Sequence, residues 1–236
     1  MNQLKSLTGL IVALLFLFSN CDTPTSQSEF TVGHVEWQLI DFKLEEGFPG
    51  AEMGGDMLEN STISMFFNDY KELMIMDMMG GFSVTKVLFD RENDQVTSYL
   101  HSMGEKMMLK VESPEDNQAH FNIEVDESDR RDILGFDSYK VKMSIEMEGR
   151  APQKMEAYIT EKIKPRSSFI QPAHKNPLKG IPLQLTVGDQ NMQMTFEAVA
   201  FNEEFDESVF DIDESEYQEM NMEEIKQMGL KDQMGF

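Results

Sequence analysis

Short runs in which apolar and polar residues alternate recur from His34 to Phe201, and they constrain the fold more than any other feature of the chain. A period of two places successive side chains on opposite faces of a β-strand, so each run predicts one covered and one polar face. Turn residues bound the runs, and no comparable helical pattern separates them. The predicted strands, roughly ten or eleven at the spacing typical of all-β folds, cover residues 34–44, 62–67, 73–79, 82–89, 96–100, 107–111, 121–125, 139–147, 155–163, 181–187 and 192–201.

The connections predict how these strands pair. Residues 188–191 and 91–94 have the composition of hairpin turns, which favours antiparallel pairing of sequential strands. The phase of the first run slips at Ile40, which indicates a β-bulge in a long strand. We therefore expect a mainly β protein built on a curved antiparallel sheet, as a half-barrel or an open barrel, because a meander covered on one face curls.

The C-terminal tail has the pattern of a short helix. Asn221 stands at an N-cap position with Glu224 three residues later, and Gly229 can serve as the C-cap. Met222, Ile225 and Met228 would then share one side, so we expect this helix to dock on the domain.

Two stretches that interrupt the alternation are predicted to be long loops, at residues 46–60 and 164–180. The second forms a basic island on an acidic chain, which we interpret as a solvated loop that lowers self-repulsion. Its basic residues are Lys162, Lys164, Arg166, Lys175 and Lys179. The acidic clusters at 126–132 and 203–216 lack the ligand pattern of a calcium loop and are predicted to be solvated acidic loops.

The N-terminus has the pattern of an export signal. Lys5 precedes an apolar run from Leu7 to Phe18, which is shorter than the roughly 20 residues that a membrane-spanning helix needs. The following Phe-Ser-Asn-Cys segment resembles the lipobox of bacterial lipoproteins, although Phe18 and Asn20 depart from its commonest form. The only cysteine of the chain, Cys21, falls directly after the apolar run, which favours lipidation at that residue.

These patterns predict four segments. Residues 1–20 would be the lipoprotein signal peptide, and 21–33 a flexible tether from lipidated Cys21. Residues 34–213 would form the antiparallel β half-barrel domain, and 214–236 a C-terminal tail with the short helix. We accordingly expect a protein of the cell envelope, anchored to the membrane by its lipid, at the outer membrane and facing the periplasm or the cell surface.

Charge and motifs exclude several classes of function. The net charge of -23 repels nucleic acid phosphates, so a nucleic acid partner is not expected, and it favours a soluble monomer. The sequence has no G-x-S-x-G elbow and no Gly-rich phosphate loop, and acylation would occupy the lone cysteine. The four histidines form no zinc-ligand spacing. We expect neither an enzyme nor a bound cofactor.

Methionine is unusually frequent, at 20 residues, and it follows the strand pattern. Met74, Met76 and Met78 share one face of a strand, and Met192 and Met194 share another. Flexible thioether side chains suit a surface that accommodates variable apolar ligands, but they also fill gaps in a solid core. A third alternative is Cu(I), which prefers sulfur ligands, although no His or Cys stands beside these methionines.

Several segments together resemble an uncharacterised family of envelope lipoproteins whose fold is similar to the LolA and LppX lipoprotein-carrier group. The similar segments are the lipobox, the Met-rich meander, Ile133 to Tyr139, Gly180 to Leu185, and Phe210 to Ile212 followed by Tyr217 to Met220. The resemblance implies a curved half-barrel with an apolar concave face that LolA-like folds use for acyl chains. Where the family usually has a cysteine, this chain has Ser138 or Lys140, which removes any thiol-based role.

The leading expectation is a non-enzymatic lipoprotein whose half-barrel binds an apolar ligand, such as a lipid or a lipidated protein. Its predicted wall residues are Trp37, Phe42, Met65, Met74, Met76, Met192, Met194 and Phe196. The alternative from another class is a structural or interaction lipoprotein whose sheet interior is packed solid, with no small ligand. A cavity beside the wall residues would separate the two.

Overall fold

The computed structural model describes residues 29–44, 58–112, 120–146, 153–166, 178–188, 192–221 and 224. Within them twelve strands form one sheet, and each of the predicted runs overlaps a strand. The strands are β1 Gly33–Leu44, β2 Thr62–Phe67, β3 Lys71–Met78, β4 Ser83–Asp90, β5 Gln95–Ser102, β6 Glu105–Glu112, β7 His120–Ile133, β8 Phe136–Glu146, β9 Gln153–Thr160, β10 Ile181–Gly188, β11 Met192–Asn202 and β12 Gln218–Glu219.

The sheet consists of two meanders that meet at β1. Strands β1 to β6 run in sequence to one edge, then β7 begins at the opposite edge and β8 to β11 return to the free side of β1. These pairings are antiparallel, and only the two-residue β12 pairs in parallel, with β6. The sheet is curved and open, and it does not close into a barrel, which confirms the predicted fold class.

The predicted bulge and hairpins are confirmed. The register between β1 and β11 shifts between Leu39 and Asp41, which leaves the intervening Ile40 52% exposed. Residues 91–94 connect the antiparallel pair β4 and β5, and β10 pairs antiparallel with β11 as expected. The bulge explains why the apolar pattern of β1 changes phase, because the extra residue moves the following side chains to the other face.

One expectation about β7 is wrong. The acidic stretch 126–132 lies within β7 and is not a loop. β7 is the edge strand, so polar residues are solvated there without interrupting the strand. The segment from Ile133 to Tyr139 contains the turn between β7 and β8. Ile133 ends β7, and Leu134 and Gly135 form a two-residue turn with φ of 56° and 80°, as in a type I′ hairpin.

The chain joins the fold before β1. The Phe30 N–H donates to the Lys162 carbonyl (2.7 Å), the Lys164 N–H donates to the Phe30 carbonyl (2.8 Å), and Phe30 forms a parallel bridge with Ile163. The Phe30 ring packs edge-on against Phe201, with 5.1 Å between centroids. Phe30 and the first residue of β1, which we assigned to the tether, are thus part of the folded domain, whereas Cys21 and the signal segment lie outside the described residues.

One face of the sheet, here called the apolar face, carries the hydrophobic core. It is defined by Val35 and Trp37 of β1, both fully buried. The Trp37 Nε1 donates to the Pro182 carbonyl of β10 at 2.9 Å, so it crosses the intervening strand β11. The core residues of the apolar face include Ile63, Met65, Phe67, Met74, Val141, Met143, Ala157, Ile159, Leu185, Phe196 and Ala198.

The opposite face, here called the polar face, is covered over β2 to β6 by the segment that follows β11. Phe205 packs against Phe66 of β2, and Tyr217 packs against Tyr99 of β5, with 5.5 and 5.1 Å between ring centroids. Two short 3₁₀ helices, Glu207–Phe210 and Glu214–Glu216, lie along this path before β12 pairs with β6. The acidic stretch 203–216 is therefore partly helical and docked, where we expected a solvated loop.

A short helix lies in the C-terminal tail, as predicted. Its start has the expected capping box: the Asn221 Oδ1 accepts from the Glu224 N–H (3.0 Å), and the Glu224 Oε2 accepts from the Asn221 N–H (2.9 Å). The predicted C-cap at Gly229 and the apolar side of the helix lie outside the described residues. Among the described residues, no helix has the length and apolarity needed to cross a bilayer.

Candidate functional site

The predicted wall residues all lie on the apolar face. The strand register places Met65 directly opposite Met74, and Phe42 directly opposite Met194, on neighbouring strands. Since side chains alternate along each strand, the remaining members fall on the same face. These are Trp37, Met76, Met192 and Phe196.

Burial divides these residues into two groups. Trp37 is 0%, Met65 2%, Phe196 3% and Met74 8% exposed, so this part of the apolar face is packed as core. The others, which lie towards one end of the face, are half-buried, except Met192, which is 38% exposed. They are Phe42, Met76, Met194 and Met192 itself. The predicted wall is therefore contiguous, and its centre is filled.

The main groove described lies elsewhere, on the polar face over β7 to β11 and the end of β1. Its volume is about 990 Å³, and none of the predicted wall residues lines it. It occupies the half of the polar face that the segment after β11 leaves uncovered. Its lining residues are Lys43, Asn122, Glu124, Lys142, Met143, Ser144, Lys154, Met155, Glu156, Thr186, Val187, Gly188, Gln193 and Thr195.

The polar residues of this groove form two rows that run across the strands. The first row contains no carboxylate, because the residues opposite one another from β7 to β1 are Asn122, Ser144, Lys154, Gly188, Gln193 and Lys43. The second row lies two residues along each strand and has both signs of charge, with Glu124, Lys142, Glu156, Thr186, Thr195 and Asp41. Both rows therefore project to the same side of the sheet.

Glycine is required at position 188 of the first row. A Cβ on Gly188 would lie 2.0 Å from the Met192 carbonyl oxygen, and the residue has φ of +128°. The lack of a side chain also leaves the floor of the groove low at β10, between Lys154 and Gln193.

The charges of the groove are only partly balanced within the described part of the chain. Lys140, beside the groove, pairs with Glu156 at 2.7 Å, and Lys43 pairs with Asp41 at 2.8 Å. Lys142 and Lys154 form no ion pair with a described carboxylate. The groove thus presents two ammonium groups beside amides and hydroxyls, and the Thr186 and Thr195 hydroxyls bond each other at 3.0 Å.

A second depression of about 370 Å³ continues the groove along β7 and β8 and shares Glu124 and Lys142 with it. Beside it, the Tyr158 hydroxyl donates to the Asp129 carboxylate at 3.0 Å, and the Arg131 guanidinium stacks over the Tyr158 ring at 4.1 Å. Burial and the bond to Asp129 raise the pKa of Tyr158. This end of the groove is held rigid by a stacked pair and a charge-assisted hydrogen bond.

The described residues contain no group of three or more His, Cys, Asp or Glu side chains arranged to hold a metal ion. His34 is occupied by stacking, parallel to Phe66 with 4.0 Å between centroids, and burial lowers its pKa. Two residues of the basic island are paired with acids, since Lys164 lies 2.6 Å from Glu29 and Arg166 lies 2.9 Å from Asp69.

Sequence reasoning missed the groove, because its residues occupy the polar positions of strands that were examined for their apolar face. A signal was present in the polar residues of β8 and β9, where Lys142 and Lys154 each occupy a position on the polar face of its strand. The pairing of distant strands, which brings Lys43 into the same row, carried no local signal. No family model matches this chain, and no curated protein matches it in a sequence search.

Proposed function

We propose that this protein is a non-enzymatic lipoprotein of the cell envelope, anchored through Cys21, that binds a ligand in the groove on the polar face of its sheet. The observation that carries the proposal is the division between the two faces. The centre of the apolar face is filled, with Trp37 and Met65 at most 2% exposed, whereas the polar face has a groove of about 990 Å³. This arrangement favours the interaction protein with a solid core over the carrier of an apolar ligand.

The absence of catalytic geometry among the groove residues supports binding without chemistry. Glu156 is engaged by Lys140, and no histidine lines the groove. General acid and base catalysis needs groups placed on both sides of a reacting atom, and a row of lysines, amides and hydroxyls on one face offers donors for recognition instead.

The experiment is lipid analysis of the purified full-length protein, combined with titration of a fluorescent fatty acid. We expect no co-purified lipid beyond the anchor and no change in the fluorescence of Trp37, because the ring is sealed in the core. Stoichiometric lipid, or quenching of Trp37 by the fatty acid, would overturn the proposal.

One observation favours the apolar-ligand function as a second candidate. Phe42, Met194 and Met192 form a half-buried patch at one end of the apolar face, where an acyl chain would meet thioether side chains. In that case Met194→Asp would abolish binding of the fatty acid, and Lys154→Ala would leave it unchanged.

A further inference from the structure

We infer that the groove on the polar face binds an extended acidic oligosaccharide, that is, a hydroxyl-rich chain with carboxylate groups. This inference rests on the proposed function and names the ligand of the same groove. The length of the groove, the sign of its unpaired charges, and the mixture of donors and acceptors that line it favour such a ligand.

The length of the carboxylate-free row requires an extended ligand. The row begins at Asn122 on β7 and ends at Lys43 on β1, so it crosses six adjacent strands. Five inter-strand spacings correspond to roughly 24 Å. A free phosphate or a single sugar would touch only a small part of such a row, whereas an oligomer would meet every residue in it.

The charges select for carboxylates on the ligand. Lys142 and Lys154 have no ion-pair partner among the described residues, and they lie on the neighbouring strands β8 and β9. Lys43 lies three strands from Lys154, roughly 14 Å away, and a second ligand carboxylate at that distance would compete with Asp41 for it. The net charge of -23 does not prevent this, because charges farther away than about 8 Å are screened at physiological ionic strength.

The other side chains match hydroxyl groups. Asn122 and Gln193 both donate and accept hydrogen bonds, Ser144 and Thr195 do the same through hydroxyls, and Glu124 accepts only. A polyhydroxylated chain presents donors and acceptors in alternation and can satisfy such a set. A peptide could not add to this surface as a further strand over β8 to β10, because the backbone there is already paired in the ladder.

The test is calorimetric titration of the full-length protein with oligogalacturonate. The comparison ligands are the same oligosaccharide as its neutral methyl ester and a polyglutamate peptide of equal charge. We expect oligogalacturonate to bind, the neutral ester to bind at least tenfold more weakly, and the peptide to show no saturable binding.

The matched variants locate the site. Lys142→Ala combined with Lys154→Ala should weaken oligogalacturonate binding by at least tenfold, whereas Lys179→Ala, an exposed lysine outside the groove, should leave it unchanged. The fluorescence of Trp37 reports in each case that the variant is folded. Absence of oligogalacturonate binding, equal binding of polyglutamate, or equal effects of the two sets of lysine variants would overturn the inference. A fatty acid that quenches Trp37 in the same titration would instead overturn the proposed function.

Discussion

Removal of the Tyr99 hydroxyl in Tyr99→Phe tests whether the segment after β11 stabilises the sheet. Tyr99 is 2% exposed, and its hydroxyl donates to the Glu214 carboxylate at 3.0 Å. A hydrogen bond to a charged group contributes about 1.5–3 kcal/mol. Here the contribution is smaller, because the Glu214 side chain is partly exposed to water. We therefore expect Tyr99→Phe to lower the free energy of unfolding by about 1–2 kcal/mol.

The assay is urea unfolding followed by the fluorescence of Trp37, the sole tryptophan and fully buried in the folded protein. The matched control is Tyr139→Phe, whose hydroxyl also donates to a glutamate, Glu161, at 3.0 Å, but at an exposed site. Its expected cost is below about 0.5 kcal/mol. The larger loss of stability in Tyr99→Phe is expected because its hydroxyl holds the docked segment, which the Tyr139 hydroxyl does not. Equal unfolding midpoints for the two variants would refute this reasoning.

The same contact predicts an alkaline limit to stability. Burial, followed by the bond to Glu214, raises the pKa of Tyr99 above its usual value of 10.0. The folded state therefore favours the protonated hydroxyl, so its contribution is complete below pH 10 and is lost as the pH rises through the folded-state pKa. Unfolding midpoints measured from pH 8 to 11 should fall more steeply for the native protein than for Tyr99→Phe, and parallel curves would contradict this linkage.

Three further outcomes follow from single positions. Gly188→Ala should destabilise the fold by several kcal/mol more than Gly104→Ala in thermal unfolding, because both have positive φ but only the first new Cβ meets a backbone oxygen, that of Met192 at 2.0 Å. Burial lowers the pKa of His34 from 6.5, so stability should be complete above that pH and decline as the pH falls below it, and His34→Phe should flatten this acid-side slope in urea titrations. Cys21→Ser should abolish labelling by a radioactive fatty acid and release the protein from membranes, and a membrane-bound variant would contradict the lipid anchor.

Much of the fold is predictable because a strand with one buried face has a local signature. The bounds of β2, Thr62–Phe67, were predicted to the residue, since its apolar and polar residues alternate without a break. The bulge at Ile40 was equally visible as a phase slip. The extension of β7 through residues 126–132 was not, because an edge strand exposed on both faces has no apolar alternation to detect. The strand β12 is two residues long and depends on its partner β6, so its own sequence carries no pattern.

The candidate site shows the limit of reasoning from apolar residues alone. The wall residues lie on one face because alternation sets the face within each strand, whereas the pairing of β1 with β11, which joins their two groups, carried no local signal. Whether a grouped apolar face is filled or hollow depends on what packs against it. Trp37 is fully buried and its indole donates across β11 to the Pro182 carbonyl, so the centre of this face is covered.

The groove depends on long-range strand pairing, because the two meanders meet at β1 and bring residues far apart in sequence into one row. Lys43 and Lys154 are separated by 111 positions in the chain but only by strands β10 and β11 in the sheet. Because the centre of the apolar face is filled, the polar face offers the larger surface for recognition. The half of that face under Phe205 and Tyr217 is already covered, so within the described part of the chain the side chains that face the groove lie over β7 to β11 and the end of β1.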